Sequence, residues 1–390
     1  MKKQVLFVID SLGCGGAEKS LLSLLPLLDY SRLDVDLLII RRGEVFEKYV
    51  PSQVKIIGHH LYGSKLWDKI QWYFHQAAFS FRLRYGKKRH GAEVHWRLMG
   101  NIVKNLEQRY DVAVAYQQGL PTFFVATRVM ATQKISWINA DVFKAGYDMD
   151  FCKQFYDKID VINAVSQRLY DLLEVKAPWM KGKLTCIYDI INPELIGQMA
   201  QEPVMDLPKS DPGQVQIVTV GRLTKPKNHL LAVDAAAILK GHGLDFKWYF
   251  VGEGETRAAI EERINYLGLD GNVILLGLKE NPYPYMSHAD IYVQTSTFEG
   301  FGMTIAEAKL LHRPVVSTNF DVVHDQIIDR QNGLIAEMTP ESVAQKILEL
   351  HQDEALRKGI IANLEQETNT TTISEPAKFM QLVDSSKPNS

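Results

Sequence analysis

Cysteine is scarce in this 390-residue chain. Cys14, Cys152 and Cys186 are odd in number and far apart, which excludes a disulfide framework and a cysteine-built metal cluster and fits a reducing cytosol. Long apolar runs are missing too, and none approaches the roughly 20 residues of a membrane-spanning helix. The opening run from Gln4 to Ile9 follows Met1-Lys2-Lys3 but stops after six residues at Asp10. It is too short for a secretory signal and suits a buried first strand. Charge of one sign is also lacking: 44 basic residues stand against 46 acidic ones, so no global field draws nucleic acid, and attraction to an anionic partner has to be local. No Gly-Lys-Ser/Thr phosphate loop is present, which argues against an ATPase. What remains is a globular composition, 46% apolar and 23% charged, at a length that favours two domains. The expectation is a cytoplasmic protein that at most lies on the inner face of a membrane.

The periodicity supports an α/β class. Gln4 to Ile9 reads as a strand, Gly13 to Gly16 as a turn and Ala17 to Leu28 as a leucine-rich helix, the opening of a β-loop-α unit. Short apolar runs recur at 35–40, 54–57, 112–115, 135–138, 161–165 and 184–191, separated mostly by helical stretches, as in a parallel sheet. Between Asn192 and Gly213 the period fades around Pro193, Pro203, Pro208 and Pro212, and a linker is expected at 193–213. A second alternating series begins with the strand 215–220 and ends in a helical stretch at 341–369. The predicted division is a first domain over 1–192, a second over 214–370, and a C-terminal segment and frayed tail over 371–390. In tandem α/β domains, ligands bind at the carboxyl ends of the strands, in a cleft.

The sharpest local signal is Thr297-Phe298-Glu299-Gly300-Phe301-Gly302-Met303, followed by Ile305-Ala306-Glu307-Ala308. If a helix starts near Gly302, Glu307 lies roughly 7 to 8 Å along its axis. One carboxylate can then meet a sugar while the other meets a ribose. Glycines at 300 and 302 let the backbone approach closely, and the free amides of Gly302, Met303 and Thr304 sit at the positive helix end, ready for a phosphate. An ordinary acidic loop before a helix is the competing reading.

The second signal, Val220-Gly221-Arg222-Leu223-Thr224-Lys225-Pro226-Lys227, follows a predicted strand. Arg222 can fork onto phosphate oxygens and Lys227 supplies a point charge, so the two can stabilise a departing diphosphate without a metal. The same residues also fit a solvated basic turn. The third, Val251-Gly252-Glu253-Gly254-Glu255, is a glycine pair after a strand; Arg257 stands where a dinucleotide fingerprint has its third glycine, which disfavours NAD. Near the N-terminus, Gly15 and Gly16 open the first helix, and their backbone can face the same diphosphate or form a plain tight turn. Two Asp-x-Asp matches, Asp34-Val35-Asp36 and Asp148-Met149-Asp150, are the kind of short acidic pattern that arises by chance, and neither sits beside these motifs. No metal is expected.

Together these residues resemble glycosyltransferase family 4, retaining enzymes of the GT-B fold. The likeness runs from Gln4 to about Ser317 and keeps the family's order: Gly15-Gly16-Ala17-Glu18, Gly221-Arg222-Leu223 with Lys227, Gly252-Glu253-Gly254, then the paired glutamates. Ala164-Val165-Ser166 and Ile187-Tyr188-Asp189 stand where the family usually has a strand ending in Val-Ser and an Ile-Tyr-Asn turn. The resemblance implies two Rossmann-like domains facing across a cleft, with a C-terminal helix returning to the first. It also implies a nucleotide-diphosphate sugar, UDP-linked, as co-substrate in place of any cofactor. Arg222 and Lys227 would bind the diphosphate, Glu299 with Phe301 and Gly302 the transferred sugar, Glu307 the ribose, and the backbone near Leu278 and Lys279 the base. Where related sequences often read Trp-Ile-His, this one has Trp137-Ile138-Asn139-Ala140-Asp141. Asn139 can hydrogen-bond but cannot exchange a proton near neutral pH; it and Asp141 complete the candidate catalytic set.

On the acceptor side, residues 64–98 hold eight basic residues against two acidic ones, interleaved with Trp67, Trp72, Phe74, Phe81 and Trp96. This composition fits an interfacial helix on anionic lipid and equally an amphipathic helix packed on the first sheet. No nucleic-acid motif accompanies it. By resemblance the acceptor is a glycan or polyprenyl-linked carrier of cell-envelope, capsular or exopolysaccharide synthesis. Rival readings are a sugar-nucleotide epimerase or phosphorylase of the same fold, or a non-catalytic sugar-nucleotide-binding subunit.

Overall fold

The computed structural model describes residues 2–13, 15–58, 89–204, 206, 211–367 and 371–385. The chain divides into two compact units, Met1–Ile190 with Thr371–Ser390, and Ile191–Thr370.

The first unit runs β1 (Lys3–Ile9), α1 (Gly16–Leu24), β2 (Leu33–Ile39), β3 (Val54–Ile57), α2 (Gly91–Met99), β4 (Arg109–Ala115), α3 (Leu120–Arg128), β5 (Met130–Ile138), α4 (Met149–Tyr156), β6 (Val161–Ala164), α5 (Gln167–Lys176) and β7 (Leu184–Cys186). The strands form a parallel sheet in the order β3-β2-β1-β4-β5-β6-β7. Val5 to Ile9 are all buried, which is why β1 reads as a continuous apolar run and not an alternating one: helices cover both faces of the sheet. The strand order reverses between β1 and β4, so the loops after these two strands flank the position where ligands of open α/β sheets bind.

The second unit begins with α6 (Pro193–Ala200) and continues β8 (Val215–Val220), α7 (His229–Gly241), β9 (Phe246–Val251), α8 (Arg257–Tyr266), β10 (Val273–Gly277), α9 (Tyr283–His288), β11 (Ile291–Gln294), α10 (Met303–Leu310), β12 (Val315–Thr318), β13 (Leu334–Ala336), α11 (Pro340–Gln352) and α12 (Glu354–Gln366). Its parallel sheet has the order β10-β9-β8-β11-β12-β13, with the reversal between β8 and β11. The core gathers Ile217, Phe246, Trp248, Phe250, Val293 and Ile347. Trp248 donates its indole N–H to Thr219 Oγ1 at 3.0 Å, and that hydroxyl donates to the Val293 carbonyl at 2.7 Å. The one polar atom of a large buried side chain is thereby satisfied.

The last helix, α13 (Thr371–Ser385), belongs to the first unit, as the resemblance implied. Phe379 is fully buried, with its ring 5.5 Å from Phe7 and 6.1 Å from Trp137. Glu375 Oε2 accepts from the Tyr188 amide at 2.8 Å, and Lys3 Nζ donates to the Val383 carbonyl at 2.7 Å.

Several expectations need adjustment. The strand expected over 184–191 ends at Cys186, because side chains take over the ladder: the Asn163 amide holds both backbone groups of Ile187 (3.0 and 2.7 Å), and the Ile190 N–H donates to Ser20 Oγ at 3.1 Å. The expected linker 193–213 opens with a helix, since Asn192 caps α6 by accepting from the Leu195 N–H at 3.1 Å and Pro193 takes its first position. The helical stretch 341–369 breaks at Asp353, whose carboxylate accepts from the Leu356 N–H at 2.9 Å and starts a new helix. Of the basic and aromatic segment 64–98, residues up to Lys88 lie outside the described residues. The remainder turns inward: Arg97 pairs with fully buried Glu93 at 2.7 Å and with Asp148 at 3.0 Å, covers the Phe151 ring at 3.7 Å, and Trp96 is buried. Among the described residues no helix is long and apolar enough to cross a membrane.

Candidate donor site of the second unit

Of the residues expected to hold a donor, Lys227, Glu299, Gly302, Met303 and Thr304 lie together at the carboxyl edge of the second sheet, at its strand-order reversal. β8 ends at Val220 and the chain leaves it through Gly221; β11 ends at Gln294 and leaves through 295–302. The two loops are tied by backbone. The Thr297 N–H donates to the Pro226 carbonyl at 2.7 Å, and Thr295 Oγ1 to the Lys227 carbonyl at 3.1 Å. The stem of Lys227 runs over Gly221, with Cε 3.5 Å from where a Cβ would stand.

That path delivers Lys227 Nζ to Glu299 Oε1 at 2.6 Å. The same oxygen accepts from Gln294 Nε2 at 2.8 Å and Ser296 Oγ at 2.6 Å. Gln294 is itself held, because Tyr292 Oη (3.0 Å) and Thr304 Oγ1 (2.7 Å) both donate to its Oε1. Three donors thus fix one carboxylate oxygen of Glu299, and none of them reaches Oε2. A carboxylate oriented this way presents its second oxygen as an acceptor of defined direction. Gln294, Ser296 and Tyr292 were not singled out from the sequence, although all three stand within seven residues of Glu299.

Gly302, at φ +90°, is the residue before α10, a backbone conformation in which a side chain would be strained. The first N–H groups of α10, those of Met303 and Thr304, have no intrahelical acceptor. The short Gln326 Nε2 hydrogen bond to the Phe301 carbonyl holds the turn from behind. Glu307, four residues into α10, is fully buried and accepts from Tyr283 Oη at 3.0 Å. A ribose can meet that carboxylate only after neighbouring side chains move aside. Arg222 is exposed, and its guanidinium makes no hydrogen bond or ion pair among the described residues. Leu278 is exposed, while Lys279 is paired with Asp206, which also accepts from Tyr285 Oη.

The glycine pair after β9 has a packing reason. The loops after β8 and β9 run backbone against backbone: the Gly221 N–H donates to Val251 O at 3.0 Å and the Leu223 N–H to Glu253 O at 2.9 Å. A Cβ at Gly252 would meet the Gly221 carbonyl, its carbon at 2.9 Å, and one at Gly254 would meet the Leu223 carbonyl, its carbon at 2.7 Å.

His229, the first residue of α7, is buried with neither ring nitrogen partnered among the described residues. Burial first, and the Lys227 charge second, depress its pKa to about 3. A base whose folded pKa lies below its unfolded value contributes stability that is present above the unfolded pKa near 6.5 and lost as pH falls below it. Acidifying from about pH 6.5 to about pH 5 should therefore cost about 2 kcal/mol through this group. In His229→Leu that part of the pH dependence disappears from urea-unfolding curves. An unchanged pH slope would show that the ring is not held neutral.

In the first unit, Gly15 precedes α1 and Gly16 begins it. The Glu18 carboxylate folds back against Gly15, its carbon 2.8 Å from the Cβ position, so a phosphate approaching these amides meets a charge of its own sign. Asp141 is turned onto its own loop, with Oδ1 accepting from the Phe143 and Lys144 N–H groups at 2.9 and 3.0 Å. Asn139 has its side-chain oxygen and nitrogen buried without partners among the described residues. The Asp-x-Asp matches have structural tasks: Asp36 accepts from Tyr110 Oη at 2.8 Å, and Asp148 caps α4.

The chain is similar to known proteins in sequence and in fold. Residues 205–367 match the family of glycosyl transferases group 1. Over 364 residues the chain is 29% identical to N-acetylgalactosamine-N,N'-diacetylbacillosaminyl-diphospho-undecaprenol 4-alpha-N-acetylgalactosaminyltransferase of Campylobacter jejuni, covering 92% of each chain. Over 144 residues it is 31% identical to the capsular polysaccharide biosynthesis glycosyltransferase CapM of Staphylococcus aureus, covering 36% of this chain and 38% of that one. Among solved structures, Anabaena HepE in complex with UDP and glucose superposes with a TM-score of 0.71 at 18% identity, over 98% of this chain and 100% of that one. The strand orders and the loop motifs of residues 221–227 and 299–307 thus lie in a chain whose residues 205–367 are similar to the group 1 glycosyl transferases.

Proposed function

We propose that the chain moves a sugar from a uridine diphosphate sugar to a glycan or polyprenyl-linked acceptor in cell-envelope polysaccharide synthesis, with retention at the anomeric carbon and without a metal. The observation that carries this is the gathering of Lys227, Glu299 and the open amides of Met303 and Thr304 around one strand-order reversal. A diphosphate carries negative charge that an ammonium, the Arg222 guanidinium and a helix N-terminus neutralise together. The free oxygen of Glu299 suits a sugar hydroxyl, and Phe301 and Gly302 shape the turn beside it. Support for the nucleotide comes from the UDP named with HepE, and for the acceptor from the diphospho-undecaprenol carrier named with the Campylobacter relative.

Within this proposal, the bond between the anomeric carbon and the diphosphate oxygen breaks as the acceptor oxygen joins the same face. The acceptor proton passes to the departing diphosphate. Arg222, Lys227 and the α10 amides act on the charge that grows on the leaving group, so their effect falls on the rate more than on ground-state binding.

A thermal-shift series over nucleoside diphosphates and their sugars tests the donor. A ligand that binds only the folded state stabilises it by about 2.7 kcal/mol at a hundredfold excess over Kd. UDP and one UDP-sugar should raise the melting temperature with no divalent cation present. Dependence on manganese would overturn the metal-free part. Interconversion of the UDP-sugar with no acceptor added would favour an epimerase.

A further inference from the structure

Gln294 ends β11 and is 3% exposed, so its amide has to find its partners inside the protein. Its Oε1 accepts twice, from Tyr292 Oη at 3.0 Å and from Thr304 Oγ1 at 2.7 Å, and its Nε2 donates to Glu299 Oε1 at 2.8 Å. Turning the amide over would set its carbonyl oxygen against a carboxylate oxygen, so one orientation is fixed. The backbone on either side is held as well: Thr219 Oγ1 donates to the Val293 carbonyl and Thr318 Oγ1 to the Ser296 carbonyl, both at 2.7 Å.

The amide thereby spans two parts of one site. Thr304 is the second residue of α10, at the end where N–H groups lack intrahelical acceptors, and Glu299 is the carboxylate whose Oε2 receives none of the three donors. The charged and titratable groups about Gln294 are Glu299 itself, Lys227 from the loop after β8, Tyr292 on β11 and Glu307 on α10. Burial first, opposed by the Thr304 hydroxyl and reinforced by the Glu307 and Glu299 charges, pushes the Tyr292 phenol above its usual range, so near neutral pH it stays a hydroxyl. A neutral amide suits this setting. A carboxylate at 294 would face Glu299 with like charge, and a leucine would leave two hydroxyls and a carboxylate oxygen each short of a partner.

We propose that Gln294 is a positioning residue for sugar transfer, which aims Glu299 at the donor sugar and ties that aim to Thr304 at the start of α10. The inference rests on the proposed function in that Glu299 meets the sugar. By donating to Oε1, Gln294 and Ser296 share the holding of the carboxylate with Lys227. The ammonium has three hydrogens and spends one on Glu299, so the others can serve the diphosphate. Gln294 itself touches no substrate atom. It acts through Glu299, and its effect falls on the sugar part of the donor and not on the nucleotide.

Gln294→Leu and Gln294→Glu in the full chain test this. Affinities for UDP, UDP-glucose and UDP-N-acetylgalactosamine are measured at about pH 6 and about pH 8.5, beside urea-unfolding midpoints. In Gln294→Leu the ratio of UDP-sugar to UDP affinity should fall about tenfold at both pH values, with UDP itself bound as before. In Gln294→Glu the introduced carboxyl and Glu299 share one proton, which like charge holds above the ordinary carboxylate range. At about pH 6 that carboxyl donates as the amide does and the ratio is natural. At about pH 8.5 the proton is gone, and the ratio falls at least as far as in the leucine variant. The proposal is overturned by a leucine variant that keeps the ratio or loses both affinities by one factor, and equally by a glutamate variant impaired alike at both pH values. A natural chain that binds neither UDP nor these sugars counts against the proposed function instead, and the midpoints then decide the coupling. A carboxyl whose folded pKa is raised contributes stability that is lost as pH rises through that pKa. Relative to the natural protein, Gln294→Glu should therefore lose stability between about pH 6 and about pH 8.5, and a flat difference overturns the coupling of Gln294 to Glu299.

Discussion

Lys227→Met lowers the rate of sugar transfer by about 10²–10³-fold, the loss typical of removing one group aimed at developing charge, while UDP-sugar binding weakens far less. The split follows from what Lys227 does before any ligand arrives: it is held by Glu299 at 2.6 Å and by the backbone of its loop, so no reorganisation is needed when charge grows on the diphosphate. Methionine keeps the stem over Gly221 and removes only the ammonium. Glu299→Gln should cost a similar factor, because three donors converge on Oε1 and an amide there must turn its nitrogen toward one of them or onto the sugar. Steady-state kinetics of both variants are decisive. A rise in KM with kcat untouched would mean that the pair serves uniform binding and not leaving-group departure.

Gly254→Ala destabilises the second unit by at least about 3 kcal/mol, at the upper end of overpacking costs, and Gly252→Ala by as much or more. Each new methyl meets backbone, the carbonyls of Leu223 and Gly221, and backbone cannot swing away as a flexible side chain can. At Gly252 the φ of +152° adds strain to the collision. Gly221→Ala is the control, since its methyl meets only the Lys227 stem at 3.5 Å. Urea midpoints of the three variants check the ordering. If Gly254→Ala kept its midpoint, the loops after β8 and β9 would have room to separate, and the glycines would have to be explained by a ligand.

The parallel α/β class and the position of Glu299 at the end of a loop before a helix were legible because apolar runs, glycines and strand ends repeat in a fixed order. Glu307 was legible in spacing but not in environment: nothing in Ile305-Ala306-Glu307-Ala308 tells that Tyr283, 24 residues earlier, closes over it. The same holds for Gln294, whose amide orients Glu299 only because β11 ends beside α10. Gly252 and Gly254 read in sequence only as a glycine pair after a strand, and the neighbouring strand exit reveals the steric cause. β7 ended early for a related reason: Asn163 competes with the ladder through contacts that span 24 residues. Local pattern carries periodicity and punctuation. It does not carry which side chain replaces a backbone partner.

Helix α13 follows the whole second unit along the chain yet completes the first. Phe379 and Val383, both fully buried, fill the core laid down by Phe7 and Trp137. On the ribosome, the amino-terminal half therefore emerges with a hole in its interior that stays open until nearly two hundred further residues have been made. The second unit, continuous in sequence, has all its parts earlier, so the usual order of domain maturation is reversed. A nonsense mutation at Thr371 would strike the half of the molecule encoded farthest from it.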